Sequence, residues 1–343
     1  MKKLVKQRAT AALAASGFPA LVRLGMGRRL LVLTYHGVLR RPELSNLNRN
    51  CVSPEMLGRQ LEYLRRHHTL VTLQEALEAL RGREDLPRGS VLLTFDDGFR
   101  NNFAAALPIL KAAGAPAVAF VTTGMLDEPG ALPWVEELSA RIFHCPPGRL
   151  ELRSNGLEVS LELASPASRE RASLTIRTYL KRAGSETRER MMGEIRRQCS
   201  LRADTLDPER FAFMNWEEAR ALAENAVEIG SHTVRHLCLS TLKDGELADE
   251  IGNSKRRIEE KVALPCIAFS YPDGTPESFG ERERRALQDA GYQCAFSQVP
   301  GYNAPGSDLF ALRRFNVPGG AADFPTFVAT LAGLRVLARR LGF

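Results

Sequence analysis

Residues 92–99 read LLTFDDGF, an apolar run that ends in two adjacent carboxylates, Asp96 and Asp97. Like charges at the end of a buried segment repel, and each raises the cost of ionising the other. A cation bound by one of them removes that cost. Further ligands stand at 230–236, GSHTVRH, where His232 and His236 are four residues apart; on a helical turn both rings would point one way and grip one ion. Imidazole and carboxylate suit zinc, and tolerate cobalt, nickel or iron. Two histidines and one aspartate leave coordination positions open for water and substrate, the pattern of a catalytic rather than a structural site. Taken alone, a histidine pair at this spacing is usually a surface feature and an Asp-Asp is usually a turn or a cap. Both together, each at the end of a buried run, point to a metal.

Six apolar stretches must position these groups: LLVLTY (30–35), SVLLTF (90–95), APAVAFVTT (115–123), AVEIG (226–230), CIAFSY (266–271) and QCAFS (293–297). Each has the length and bounding residues of a buried strand. Helix patterns fall between them. Ser53-Pro54 opens one with Leu57, Leu61 and Leu64 on one face, and Thr72-Leu-Gln-Glu75 is a capping box. A third helix runs through 104–113 and stops at Gly114, and two more span 244–262 and 278–290. Strands alternating with helices imply an α/β fold, a parallel sheet covered on both faces or closed into a barrel. In such folds active groups collect at the carboxyl ends of the strands. That rule puts His36, Asp96, Asp97, Ser231, His232, His236, Pro272 and Asp273 on one rim.

Residues 130–212 break this rhythm and read as an insertion: GRLELRSNGLEVSLEL is a hairpin around Asn155-Gly156, followed by exposed, charge-laced helices, with a lid as one role. Asn215-Trp-Glu-Glu218 caps a helix back into the alternating pattern. The domain reading is a basic N-terminal segment at 1–29, a barrel at 30–320 holding the insertion, and a basic C-terminal helix at 321–343.

The 343 residues, 44% hydrophobic and 25% charged, are enough for a sizeable core. Much of the net charge of +7 sits at the two ends. A basic end is compatible with peripheral contact at a membrane surface, but no interleaving of aromatic and basic residues marks a nucleic-acid binder. The six cysteines include no C-x-x-C pair, which reads against a disulfide scaffold and a thiolate zinc site and for a reducing compartment. The stretch after Lys2, Lys3, Lys6 and Arg8 is interrupted by Ser16, Gly17 and Pro19 and soon meets Arg23. It therefore reads against export and for a cytoplasmic protein, at the inner face of the membrane if it touches one.

TFDDG at 94–98 with HTVRH at 232–236 resembles the first two motifs of the polysaccharide deacetylases, the NodB-homology or carbohydrate esterase family 4 group. The likeness extends to YHGV, VSPEMLGRQLEYL, LPILKAAGAPAVAFVTTG, NWEEARALAENAVEIGSHT and FSYPDG, over most of residues 30–318. The resemblance implies a distorted (β/α)7 TIM-like barrel carrying a helical and hairpin insertion. It implies that Asp97, His232 and His236 hold the metal, most simply Zn2+, and that Asp96 is the general base. The ionised Asp96 beside a cation would then take a proton from the attacking water. Two departures stand out. The family's third motif usually reads Arg-x-Pro-Tyr, whereas this chain has FSYPDG with no arginine; some branches carry a similar F-x-Y-P-x-G. Tyr271, Pro272 and Asp273 are then the substrate-side residues, with the Asp273 amide helping to form the oxyanion hole. Arg314, in ALRRFNV, could replace the missing arginine, a surface ion pair being the other reading. The family's late Leu-x-His has no counterpart after His236, but some members have that segment permuted to the front, where Leu33-Thr-Tyr-His36 stands; His36 is then the general acid. Trp134 and Trp216 could floor a sugar subsite, with core packing as the reading for Trp216.

The function expected is a metal-dependent deacetylase acting on the acetamide of N-acetylated sugars in a polysaccharide or a lipid-linked glycan precursor. The alternatives are a catalytically silent carbohydrate-binding protein on the same fold and an O-acetyl esterase. A phosphohydrolase of the aspartyl-phosphate type needs two aspartates separated by one residue and has no use for the histidine pair, so it is set aside.

Overall fold

The computed structural model describes residues 27–41, 50–154, 157–317 and 324–333. The strands, in chain order, are β1 (Leu31–Tyr35), β2 (Gly37–Val38), β3 (Cys51–Val52), β4 (Thr69–Leu70), β5 (Ser90–Phe95), β6 (Ala117–Val121), β7 (Arg149–Ser154), β8 (Leu157–Glu162), β9 (Val227–Ser231), β10 (Ala268–Ser270), β11 (Cys294–Phe296) and β12 (Phe315–Asn316). Seven of them form one curled parallel sheet in the order β11-β10-β9-β6-β5-β1-β12, with β4 added against the start of β5. Leu312 forms a parallel bridge with Phe296 while Phe315 pairs with Leu33, so the segment leading into β12 reaches from one edge of the sheet to the other. This is the distorted (β/α)7 barrel anticipated from the motifs.

The period-two alternation of the strands sorts their side chains into two cores. Leu31, Leu33, Tyr35, Val91, Leu93 and Phe95 pack outward against the helices. Leu30, Val32, Leu92, Val118, Phe120, Ala268, Cys294 and Phe296 pack inward, closed off by Leu73, Ala76, Leu77 and Leu80 of the helix Leu73–Leu80. That helix begins with the Thr72–Glu75 capping box, and Trp216–Ala223 begins with the one at Asn215–Glu218. Ser53 caps Pro54–His67 through the Met56 amide at 3.1 Å. The third helix opens with a π turn at Asn102–Ala106 before Leu107–Ala113, and ends at Gly114 in the left-handed conformation.

The insertion differs from the exposed helices expected. Leu138, Ile142, Leu150, Leu152, Ile176, Leu180, Met191 and Ile195 form a core of their own between the hairpin and the helices Trp134–His144, Pro166–Leu180 and Ser185–Gln198. The turn residues Asn155 and Gly156 lie outside the described residues, but the register from Ser154–Leu157 to Arg149–Glu162 is that of a hairpin. The expectation of a chain without cross-links is also corrected: Cys145 and Cys199, 54 residues apart, form a disulfide at the edge of this core. Spacing could not reveal the pair, because packing of two helix ends brings it together. Cys51, Cys238, Cys266 and Cys294 are buried and take no part in a disulfide.

Most of the two basic ends lies outside the described residues. The C-terminal part that is described, the helix Phe324–Leu331, is uncharged and rests on Pro54–His67 through Phe324 and Phe327 against Tyr63. Among the described residues no helix is long and apolar enough to cross a membrane.

Candidate active site

Asp96 follows the inward parity of Leu92 and Thr94, and its amide still donates to the Tyr35 carbonyl at 2.9 Å, so its carboxylate enters the barrel. There it meets Arg314. Nη1 donates to Oδ1 and Nη2 to Oδ2, each at 2.8 Å, a two-pronged pair in which Arg314 is 0% and Asp96 1% exposed. The guanidinium is itself held by the Ser297 carbonyl at 2.9 Å, Ser270 Oγ at 2.8 Å and Thr94 Oγ1 at 3.2 Å, over the Phe120 and Phe296 rings. Ser270 Oγ and Gln298 Nε2 also donate to Asp96 Oδ2, at 3.3 and 3.2 Å. Burial pushes the Asp96 carboxyl up, but Arg314, followed by His232, outweighs it and holds the group below the ordinary aspartate value. Of the two readings of Arg314, the surface ion pair is therefore the wrong one.

Asp97 turns away from its neighbour because its backbone is left-handed, φ 77°, followed by Gly98 at φ 85°. A Cβ on Gly98 would stand 3.2 Å from the Val121 backbone, so the sharp exit from β5 requires glycine there. The Asp97 carboxylate lies 3.5 Å from His232 Nε2 and 3.3 Å from His236 Nε2. One ligand atom from each of the three residues falls within 4.8 Å of the others. Burial raises the Asp97 pKa and the two imidazoles lower it further, to a net value well below the usual range. For His232 burial acts downward, while Asp97 and Asp96 carry the net shift upward.

The histidine pair does not lie on a helical turn, as its spacing implied. His232 leaves the end of β9, and the loop to His236 contains two left-handed residues, Thr233 at φ 68° and His236 at φ 58°. Buried Glu250 holds the loop by accepting from the Val234 and Arg235 amides at 2.8 and 2.9 Å. His232 Nδ1 faces the Ser270 carbonyl at 2.7 Å, which fixes the proton there and frees Nε2 as a ligand. Two imidazole nitrogens and a carboxylate, one histidine already oriented from behind, fit a divalent cation.

A cavity of about 450 Å³ opens on this cluster, lined from the barrel by His36, Asp96, Asp97, His232, His236, Tyr271, Pro272, Asp273 and Gln298. His36 stands at the carboxyl end of β1, on the same cavity as both aspartates. Its Nδ1 is buried with no partner among the described residues, and its carbonyl accepts from Asn102 at 2.6 Å. Tyr271 is buried, stacked on Phe279 at 4.2 Å, and spends its hydroxyl on the Phe310 carbonyl, so its ring builds wall rather than donating to a ligand. The two tryptophans separate: Trp216 lies in the core with its Nε1 on Asp127, while Trp134 lines the cavity and donates to the His236 carbonyl at 3.3 Å. Trp134, Glu136, Arg177 and Lys181 make the insertion one wall of the cleft.

Ser270 and Gln298 went unread in the sequence although both stand at carboxyl ends of strands, β10 and β11, where the rule that found Asp96 also applies. Arg177 and Lys181 carried no such signal, because nothing local says that their helix returns to the barrel mouth.

Fold and cluster together define an α/β barrel whose polar centre lies at the carboxyl mouth of its strands. The sequence pattern of the polysaccharide deacetylases matches residues 83–161 and 180–295, more than half of the chain, which therefore belongs to the polysaccharide deacetylase family. YxkH of Bacillus subtilis (strain 168) is 28% identical over 104 residues, 30% of this chain and 36% of that protein. The poly-beta-1,6-N-acetyl-D-glucosamine N-deacetylase of Escherichia coli (strain K12) is 31% identical over 100 residues, 29% of this chain and 15% of the relative. The chain thus spans only a minor part of both. The Streptococcus pyogenes deacetylase PplD, solved in complex with acetate, superimposes with a TM-score of 0.58 at 17% identity, over 89% of this chain and 99% of PplD.

Proposed function

We propose that the chain is a metal-dependent deacetylase that hydrolyses the acetamide of an N-acetylated sugar, in a polysaccharide or a lipid-linked glycan precursor. The observation that carries the reading is the joint placement of two carboxylates with separated tasks. Asp97 faces two imidazole nitrogens at 3.3 and 3.5 Å, while Asp96, next in the chain, is held ionised by Arg314. Asp97, His232 and His236 would hold the cation, zinc being the simplest match to the donor set. When bound, the cation supplies Lewis acidity toward the acetyl carbonyl and the attacking water.

The protein's own groups do the rest. Asp96 is the base that takes the proton from water, its acceptor geometry set by four donors from Arg314, Ser270 and Gln298. Asp273 lines the cleft and its amide donates to no other group among the described residues, so that amide would serve an oxygen that gains negative charge. His36 lines the same cavity and would protonate the departing amine. Likeness to an E. coli enzyme named for a β-1,6-linked N-acetylglucosamine polymer supports glycans of that kind as the first substrates to try.

The test is acetate release by the zinc-loaded protein from β-1,6-linked N-acetylglucosamine oligomers and from chitooligosaccharides, with and without chelator. Chelator-sensitive release is expected. A protein that binds zinc yet frees no acetate from either would sink the proposal.

A further inference from the structure

We propose that Lys181, on the insertion, is a positioning residue that holds the loop Tyr271–Gly274 on the cleft wall by pairing with Asp273; the idea rests on the deacetylase reading. Asp273 has φ 68° and Gly274 φ 57°. Two consecutive left-handed residues make a sharp turn that its surroundings must hold. Two groups do. The Gln298 amide donates to the Gly274 carbonyl at 2.8 Å, and a Cβ on Gly274 would stand 2.7 Å from that nitrogen, so the loop lies flat against the strand end. The second holder comes from 92 residues earlier: Lys181 Nζ donates to Asp273 Oδ1, with the two side chains only 34% and 19% exposed.

Lys181 is the C-cap of the helix Pro166–Leu180, and Arg177 one turn back lines the same cavity. Arg177 lies within electrostatic reach of both Glu136 and Asp273, and Glu136 is paired with buried Arg210. The Lys181–Asp273 pair ties the insertion to the loop. Residues 162–179, most of this helix, fall outside the stretches that match the family pattern.

The charge matters as much as the tether. The cleft already holds Asp96 and Asp97. A third carboxylate without a counter-charge would oppose negative charge developing on an acetyl oxygen beside the Asp273 amide. Lys181 cancels it at contact distance.

The experiment compares the wild type with Lys181→Met, Lys181→Arg and the double variant Lys181→Met/Asp273→Asn, in the full chain loaded with zinc. Lys181→Met should lower kcat about 10-fold or more with KM little changed, and Lys181→Arg should keep most of the activity. Asp273→Asn should restore part of the kcat lost in Lys181→Met, because the uncompensated charge is gone; a loss through general destabilisation would not be recovered. Amide hydrogen exchange across 272–275 should quicken in Lys181→Met. Wild-type kcat and wild-type exchange in Lys181→Met overturn the proposal, and an unrescued double variant overturns its electrostatic part. Should the wild type free no acetate, the deacetylase reading falls, and the exchange measurement alone decides whether Lys181 holds the loop.

Discussion

The guanidinium of Arg314 and the carboxylate of Asp96, 218 residues apart in the chain, form a buried two-pronged ion pair inside the barrel. It is the contact that lets one carboxylate of an adjacent pair stay ionised without sharing the ligand task of the other. Breaking a buried pair from one side costs about 3–5 kcal/mol, because the remaining charge has no solvent to turn to. Arg314→Ala should therefore lower stability by that order in chemical unfolding and abolish acetate release. Arg314→Lys should rescue little, since one ammonium cannot reproduce the fork that also engages Ser297, Ser270 and Thr94. A Lys variant with full turnover would contradict this.

Asp96 and Asp97 should separate experimentally. Asp97→Ala and His232→Ala should lose zinc, measured by metal content after dialysis, and activity with it. Asp96→Asn should keep the metal and lose turnover by about 10²-fold or more. Loss of zinc from Asp96→Asn would show that the two carboxylates share the ligand task.

His36→Ala should lower kcat by roughly 10²-fold if the ring is the proton donor to the amine. The effect should shrink for a substrate whose leaving group needs no proton, such as an activated aryl ester. A uniform loss on both substrates would make His36 a packing residue.

The insertion offers a redox prediction. Unfolded without reductant, the chain should titrate four thiols, and with reductant all six. Cys145→Ser should lower stability by about 2–4 kcal/mol, as expected for opening a loop of this size. Six thiols in the unreduced protein would disprove the pair.

Acid should loosen the same region. Glu137 accepts from Arg141 and twice from Arg196, all at 2.8 Å; burial pushes its carboxyl up, and the two guanidinium groups outweigh that and hold it below the ordinary glutamate value. A folded-state value below the unfolded one means stability that is present above the unfolded value and lost as pH falls through the folded one. Glu137→Gln should be less stable than wild type at neutral pH, and the gap in melting temperature should close below about pH 4, near the ordinary carboxylate range. A gap independent of pH would remove the charge from the explanation.

Local pattern was enough to determine the strands, the capped helices and the rim on which Asp96, Asp97, His232 and His236 stand. Alternation, caps and strand ends are properties of neighbouring residues. The same locality explains what stayed hidden. The turn that carries His232 to His236 is shaped by Glu250, a residue of another helix, so the spacing alone implied a helix that does not form. Arg314 had two readings in the sequence, and barrel closure chooses the buried pair with Asp96; Lys181 reaches the site through an insertion that folds back on its own core. Cys145 finds Cys199 because two helix ends pack together. These are contacts between segments far apart in the chain, chosen by which surfaces bury one another, and only the tertiary structure decides them.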